Sequence, residues 1–483
     1  MKEFILKLKK LLLDRVIAYC LVICLVALYL ILNTKISDFK LKQFDFTSQK
    51  IYTLSESSKD IVRNIDKEVQ IYLVGYTKEA PIANLLNDYG RANSNIQYEI
   101  ASYTDNPDLA SKYGITADSV LVIIESGDNS KVLSDYDMYS YDYNTYDTYD
   151  VTEEKITNGI IDVTIEEKPY IYFLIGHDEY NVSQNMILFP TLLVNEANEV
   201  NILDLLVSGS VPEDCNLLVI PSPVKDMTEY ESGLILDYIN KGGNILFLQD
   251  VNFEGTDFVN MQKVLDMFGV SIRTGIILEE NSDNTILSTP HYIIPYLSTS
   301  SEISSKIASS GAKIIFPNSC ALELPDYDKQ VDLSLTIQDI ANSSDTSFLR
   351  TNLTNNSKDK LEEDIAGPLT LGAEITKEID AENNIASTLV IYSNCVFASD
   401  TGIQVGQNTE YAISLGGNKD LVLNTVAYLT EREDTITIRK NTGTVTYTAT
   451  DKQHTIVQAV IFAFPALIIL AGIIVWQKRR RKK

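Results

Sequence analysis

Three short polar turns carry the residues best suited to chemistry: Gly176-His177-Asp178-Glu179, Pro221-Ser222-Pro223 and Gln249-Asp250. Each follows an apolar run that reads as a buried strand, Tyr170 to Ile175, Leu217 to Ile220 and Asn244 to Leu248. Open α/β sheets form ligand crevices beyond the carboxyl ends of their strands, which makes His177, Asp178, Glu179, Ser222 and Asp250 the candidate ligand-binding residues. A structural reading competes: His177 caps a following helix, and the two acids favour its N-terminus. Glu179 and Asp250 would also suit acid–base hydrolysis if held roughly 5–10 Å apart.

Other chemistries lack their parts. Thiol catalysis needs a Cys activated by a nearby His; the place directly after Leu248 holds Gln249-Asp250-Val251 and no thiol, and the chain has three His, namely His177, His291 and His454. Ser222 sits between prolines, not in a Gly-x-Ser-x-Gly elbow. Zinc hydrolysis needs clustered His or Cys, and a phosphate-binding P-loop needs a Gly-Lys pair that occurs nowhere in the sequence. The sequence therefore predicts no catalytic residues, no metal and no cofactor.

The turns need a parallel sheet to bring them together. Between the second and third runs, Leu234, Ile235, Tyr238 and Ile239 mark one helix face that stops at Lys241-Gly242-Gly243. Strand, helix and glycine turn in alternation describe right-handed crossovers. Upstream, Ser55 offers an N-cap for a helix carrying Ile61, Val62 and Ile65. Strands over Val69 to Val74, Ile96 to Ala101 and Val120 to Glu125 then alternate with helices over Ile82 to Arg91 and Asn106 to Tyr113. This order is similar to a thioredoxin-like fold without its Cys-x-x-Cys. The Tyr/Asp run 134–150 reads as a solvated loop or hairpin extension; it lacks the spacing and turn glycine of a calcium loop. Residues 275–365 read as a Ser/Thr/Asn-rich insertion, with a strand at Lys313 to Phe316 and disorder near Asn352 to Asp364. Strands resume at Leu369 to Ile375 and Thr388 to Tyr392, and Asp420 to Leu429 reads as an amphipathic helix.

Both ends look built for a membrane. Ile456 to Trp476 is an apolar run, interrupted by Gln458, of about 31 Å as a helix, followed after Gln477 by six cations, Lys478 to Lys483. Val16 to Leu32 repeats the arrangement after Lys2, Lys7, Lys9, Lys10 and Arg15. Basic flanks stay inside, so both termini are expected in the cytoplasm and the region between the spans outside, with the first span an uncleaved signal anchor. The chain has formal charge −26, and outside its basic ends 29 cations face 64 anions. That surface argues against nucleic-acid binding. Cys20 and Cys24 fall in the first span, and Cys215, Cys320 and Cys395 read as free buried thiols or one disulfide plus a thiol.

Several of these segments, in order, resemble the GldG-type (gliding-motility-associated) family of ABC-transporter auxiliary proteins, whose ectodomain module also occurs in an intraflagellar-transport protein. They are Asp45-Phe46-Thr47 through Tyr52-Thr53-Leu54-Ser55, Glu154 to Val163, Tyr172 through Glu179, Leu218 through Pro223, Tyr238 through Asn244, and Gly417-Asn418-Lys419-Asp420 through Asn424. Two positions depart from the family pattern: Asp178 replaces the second Gly of a Gly-His-Gly-Glu-like turn, and Ser393 to Phe397 lacks the acids of an Asp-Ser-Asp-Phe-like segment.

The resemblance implies an ABC ATPase and a multi-span permease as partners on separate chains, and a second unit similar to flavodoxin-like class I glutamine amidotransferase folds. The expected organisation is a basic N-terminus (1–15), a signal anchor (16–34) and a thioredoxin-like α/β domain (45–133). An acidic Tyr/Asp-rich connector (134–168) and a flavodoxin-like α/β domain (169–430) with its insertion at about 275–365 follow. Membrane-proximal strands (431–454), a transmembrane helix (455–477) and a basic tail (478–483) end the chain. The expected role is a non-catalytic, membrane-anchored auxiliary subunit of an ABC-type system, binding a substrate or envelope component such as a polysaccharide or peptide outside the cell. A carboxylate-dependent hydrolase and an envelope scaffold or adhesin are the alternatives.

Overall fold

The computed structural model describes residues 54–141, 148–405 and 408–432. Both apolar end segments, and the short alternating segments at Thr435 to Arg439 and Thr444 to Thr448, lie outside them. No helix among the described residues is long and apolar enough to cross a membrane.

The chain is a mixed α/β protein. Its first sheet has four strands: β1 (Val69–Val74), β2 (Ile96–Ala101), β3 (Leu121–Ser126) and β4 (Asn129–Ser134). Their order is β2-β1-β3-β4, with β1 and β2 parallel and β3 and β4 antiparallel to their neighbours. Helix Glu56–Arg63 begins as expected, Ser55 accepting a hydrogen bond from the Ser58 N–H. Helix Pro107–Tyr113 ends on Gly114 in the left-handed conformation. Helix Thr152–Thr164 lays Ile156, Ile160 and Val163 onto the core of Leu73, Val122 and Ile124. The Tyr/Asp run forms a 3-10 turn (Asp135–Met138) and a small hairpin pairing Tyr139–Tyr141 with Thr148–Asp150.

The second sheet has ten strands. Its centre is parallel: β5 (Tyr170–Ile175), β6 (Glu199–Asp204), β7 (Cys215–Pro221) and β8 (Asn244–Leu248). Two later strands, β9 (Thr370–Asp380) and β10 (Ile385–Tyr392), extend it. The order runs β6-β5-β7-β8-β10-β9, parallel as far as β10, with β9 antiparallel to it. Helices cover both faces, which is why β5, β7 and β8 read as near-continuous apolar runs. Alternate residues serve opposite cores: Leu217, Val219, Leu246 and Leu248 pack on one face, and Leu218, Ile220, Ile245 and Phe247 on the other.

Two expectations for this region fail. Asn352 to Asp364 is not disordered; it wraps a fully buried guanidinium, Arg350, whose NH groups donate to the Asp364 carboxylate and the carbonyls of Asn355, Ser357 and Asp359. One arginine at the end of strand Ser347–Arg350 thus organises a stretch whose composition alone suggests no structure. The helix expected at Asp420 to Leu429 is present as Asn418–Leu429 but is not amphipathic, being buried along most of its length against the sheet.

Its entry is tightly constrained. Gly416 has φ +55°, and a Cβ there would lie 2.1 Å from the Lys313 carbonyl oxygen. Asn418, wholly buried, accepts from the Ile315 N–H and donates to the Ile315 and Ala412 carbonyls. Gly416→Ala is expected to lower stability by about 2 kcal/mol or more in urea unfolding, because both the backbone region and the close approach require glycine.

Candidate functional site

The strand order reverses direction between β5 and β7, and the turns after them open a crevice of about 440 Å³. Asp178, Glu179, Ser222 and Asp250 line it together. His177 does not; it lies behind the wall and caps no helix. Its Nδ1 is 2.8 Å from Glu179 Oε1 and its Nε2 3.2 Å from Glu231 Oε1, all three side chains being almost completely enclosed. The His177 N–H donates to Glu179 Oε2 at 2.6 Å. Glu231 belongs to helix Glu229–Asn240, whose capping box joins its Oε2 to the Thr228 N–H and hydroxyl. The His177 carbonyl accepts from the Val224 and Lys225 N–H groups. This knot fastens the turn after β5 to the turn and helix after β7.

With a carboxylate oxygen at each ring nitrogen, the doubly protonated imidazolium is the form that fits. The Glu179 hydrogen bond raises the His177 pKa; burial opposes this, and the Glu179 and Glu231 charges add to the rise. Burial works to raise the Glu231 pKa, but the Thr228 donors and His177 outweigh it and leave the group below its ordinary value.

Asp250 stands at the crevice floor, surrounded by protein yet still reached by solvent. Its Oδ2 accepts from the Tyr180 hydroxyl at 2.8 Å, and its Oδ1 from the Cys395 and Val396 N–H groups at 2.6 and 3.2 Å. Burial nonetheless raises its pKa against those bonds. Tyr180→Phe removes one of the three donors and is expected to cost about 1 kcal/mol and push the Asp250 pKa further up, both readable from unfolding curves between pH 4 and 7.

Three lining residues other than glycine hold the left-handed backbone: Asp178 (φ 58°), Ser222 (φ 57°) and Asn318 (φ 57°). Asp178 therefore occupies a conformation that a glycine adopts freely, which accounts for the departure from the family turn; its carboxylate pairs with Lys225 at the surface. Ser222 has the strained backbone of a nucleophile elbow but no base. Its Oγ accepts from the Asp250 N–H at 3.1 Å, and both ring nitrogens of His177 are occupied.

The sequence did not single out Tyr180, Gln249, Phe253 or Asn318, all of which line the crevice. Gln249 was legible by position alone, as the first residue after β8. Phe253 and Asn318 are brought in by loops without a sequence signature. Cys215, Cys320 and Cys395 are free thiols, and burial raises the pKa of each. No group of three or more His, Cys, Asp or Glu among the described residues is placed to hold a metal ion.

The fold is thus a doubly covered α/β sheet with a crevice at its reversal point, lined by the carboxylates of Asp178, Glu179, Asp250 and Glu254. The chain belongs to the family of ABC-type uncharacterized transport system auxiliary proteins, whose match covers residues 168–425. Residues 48–140 match a domain of unknown function, DUF7088. No curated protein matches. Among solved structures the chain is similar to the mmIFT52 N-terminal domain, at 13% identity and TM-score 0.39 over 54% of this chain and 97% of that one. It is also similar to a thua-like protein from Bacteroides uniformis ATCC 8492, at 10% identity and TM-score 0.31 over 55% and 93%.

Proposed function

We propose that this chain is the non-catalytic, membrane-anchored auxiliary subunit of an ABC-type transport system. Its α/β region lies outside the cytoplasm and holds a transported substrate or an envelope component in the crevice after β5, β7 and β8. The observation that carries the reading is the family match over residues 168–425, which takes in β5 to β10 and every crevice residue named above. The chain's partners in this reading are an ABC ATPase and a multi-span permease on separate chains; this sequence contains no P-loop motif. The order β2-β1-β3-β4, with one parallel pair and a hairpin, supports a thioredoxin-like first unit. The order β6-β5-β7-β8-β10 supports a flavodoxin-like second unit, being the 2-1-3-4-5 arrangement.

The hydrolase alternative gains no support from the carboxylates it needs. Glu179 is committed to His177 by two hydrogen bonds, and Asp250 accepts three from the protein. An acid–base pair needs carboxylates free to exchange protons with a substrate.

Placement is tested by thiol labelling in intact cells against the parent chain. Tyr136, 90% exposed, is a suitable site on the first unit. Tyr136→Cys should react with a membrane-impermeant maleimide without permeabilisation, and Arg480→Cys only after it. Protection of Tyr136→Cys until the membrane is opened would contradict the extracytoplasmic placement.

A further inference from the structure

The geometry points to an uncharged, hydroxyl-bearing ring, a neutral saccharide unit, as the ligand of the crevice; this rests on reading the crevice as a binding site. The first argument is charge. No Lys, Arg or His lines the crevice, while Asp178, Glu179, Asp250 and Glu254 do. A phosphate or carboxylate would find no cationic donor among the lining residues, the reverse of what anion sites provide. The acids do not form a cation site either. Glu179 and Asp250 are already engaged by two and three protein donors, and Asp178 is paired with Lys225.

The second argument is the hydrogen-bonding capacity that side chains lining the crevice leave unused toward it. Gln249 is 4% exposed, and its one side-chain bond runs from Nε2 to the neighbouring Asp250 carbonyl at 3.2 Å. Its Oε1 has no partner among the described residues. Ser222 is 5% exposed and its Oγ only accepts, leaving the hydroxyl proton without an acceptor among the described residues. The Asn318 side-chain amide, also lining, makes no bond among the described residues. A carbonyl acceptor and a hydroxyl donor side by side match ligand hydroxyls, which both donate and accept.

The third argument is the apolar wall. Phe253 lines the same crevice with 63% of its surface open, beside Val224 and Val251. An exposed phenyl offers a flat face for the C–H side of a sugar ring while the hydroxyl side meets Gln249, Ser222 and Asn318.

The test uses the full-length chain in lipid nanodiscs, free of glycosidic detergent. Saturation-transfer NMR and calorimetric titration would compare N,N′-diacetylchitobiose and maltose with glucose 6-phosphate, glucuronate and N-acetyl-trialanine amide. At least one neutral disaccharide is expected to bind, with both anionic sugars weaker by about tenfold or more. Phe253→Ala and Gln249→Ala are each expected to weaken it about fivefold to tenfold, with the unfolding curve of the exposed-site variant Phe253→Ala unchanged. Binding of glucose 6-phosphate as tight as that of the neutral sugars would overturn the proposal. So would saccharide binding indifferent to both substitutions, or silence from every sugar at about 10 mM. Capture of the capped peptide instead would overturn the saccharide class and keep the crevice as a binding site. The auxiliary-subunit reading stands or falls separately, on which chains the protein assembles with.

Discussion

Asp364→Ala is expected to destabilise the large unit by about 3–5 kcal/mol, the cost of leaving a buried guanidinium without its counter-charge. Arg350 and Asp364 side chains are 1% and 0% exposed, and Arg350 donates to the carboxylate through both Nε and an NH2 group at 2.8–3.1 Å. Urea unfolding would measure the loss. Hydrogen exchange should show residues 351–364 losing protection first, since their carbonyls are gathered by the same guanidinium. The double variant Arg350→Met/Asp364→Leu should recover much of the stability, because replacing a whole buried pair is far cheaper than breaking it. Burial works to raise the Asp364 pKa, but the Arg350 and Leu361 donors outweigh it and leave it lowered. Its stabilising contribution is therefore present above about pH 4, the ordinary carboxylate value, and is lost as pH falls through the lowered value. Acid should loosen this loop, and Asp364→Ala should abolish that part of the acid sensitivity.

The second large effect belongs to the histidine knot. His177→Ala leaves Glu179 and Glu231 enclosed with no cation between them, and is expected to cost about 3 kcal/mol or more. The pH dependence runs opposite to that of Asp364. A histidine pKa raised on folding contributes stability fully below about pH 6.5, its unfolded value, and loses it as pH rises through the folded value. Ring-proton NMR can read this directly, the chain having three histidines. His177 should titrate above the ordinary value, whereas burial, with Lys358 adding, lowers His291 below it. Glu231→Gln should bring His177 down without moving His291. A His177 that titrates below 6.5 would contradict the imidazolium knot.

Much of this framework can be read from residue patterns. β1, β5 and β8 have the bounds that their apolar runs suggest, because strands inside a sheet leave little ambiguity. Edge strand β2 has its expected bounds because Ile96, Tyr98 and Ile100 alternate with Gln97 and Glu99. Ser55 and the Lys241-Gly242-Gly243 stop behave as caps because capping is local chemistry. β6 escaped notice as the edge strand, with Ile202 exposed and Asn201 and Glu199 facing solvent, so it lacks the continuous run. The order around Arg350 was illegible for another reason: it depends on one side chain reaching carbonyls five to nine residues away. The turns carrying Asp178, Glu179, Ser222 and Asp250 were legible as strand ends, and the structure gathers them in one crevice. His177 was legible as a candidate but not in its position. Nothing in the spacing shows that Glu231, from the capping box of a helix 54 positions away, turns the ring from the crevice. Sequence gives which residues end strands; only packing decides which way a side chain at such an end is pulled.

The measurement that tests the auxiliary-subunit account most directly is purification of the tagged full-length chain from native membranes in mild detergent, with quantitative mass spectrometry of what accompanies it. The account predicts an ABC ATPase and a multi-span permease in fixed, near-stoichiometric ratio to this chain, retained when the crevice variant Phe253→Ala replaces the parent. Recovery of this chain alone from several detergents, with no ATPase or permease above background, would contradict it.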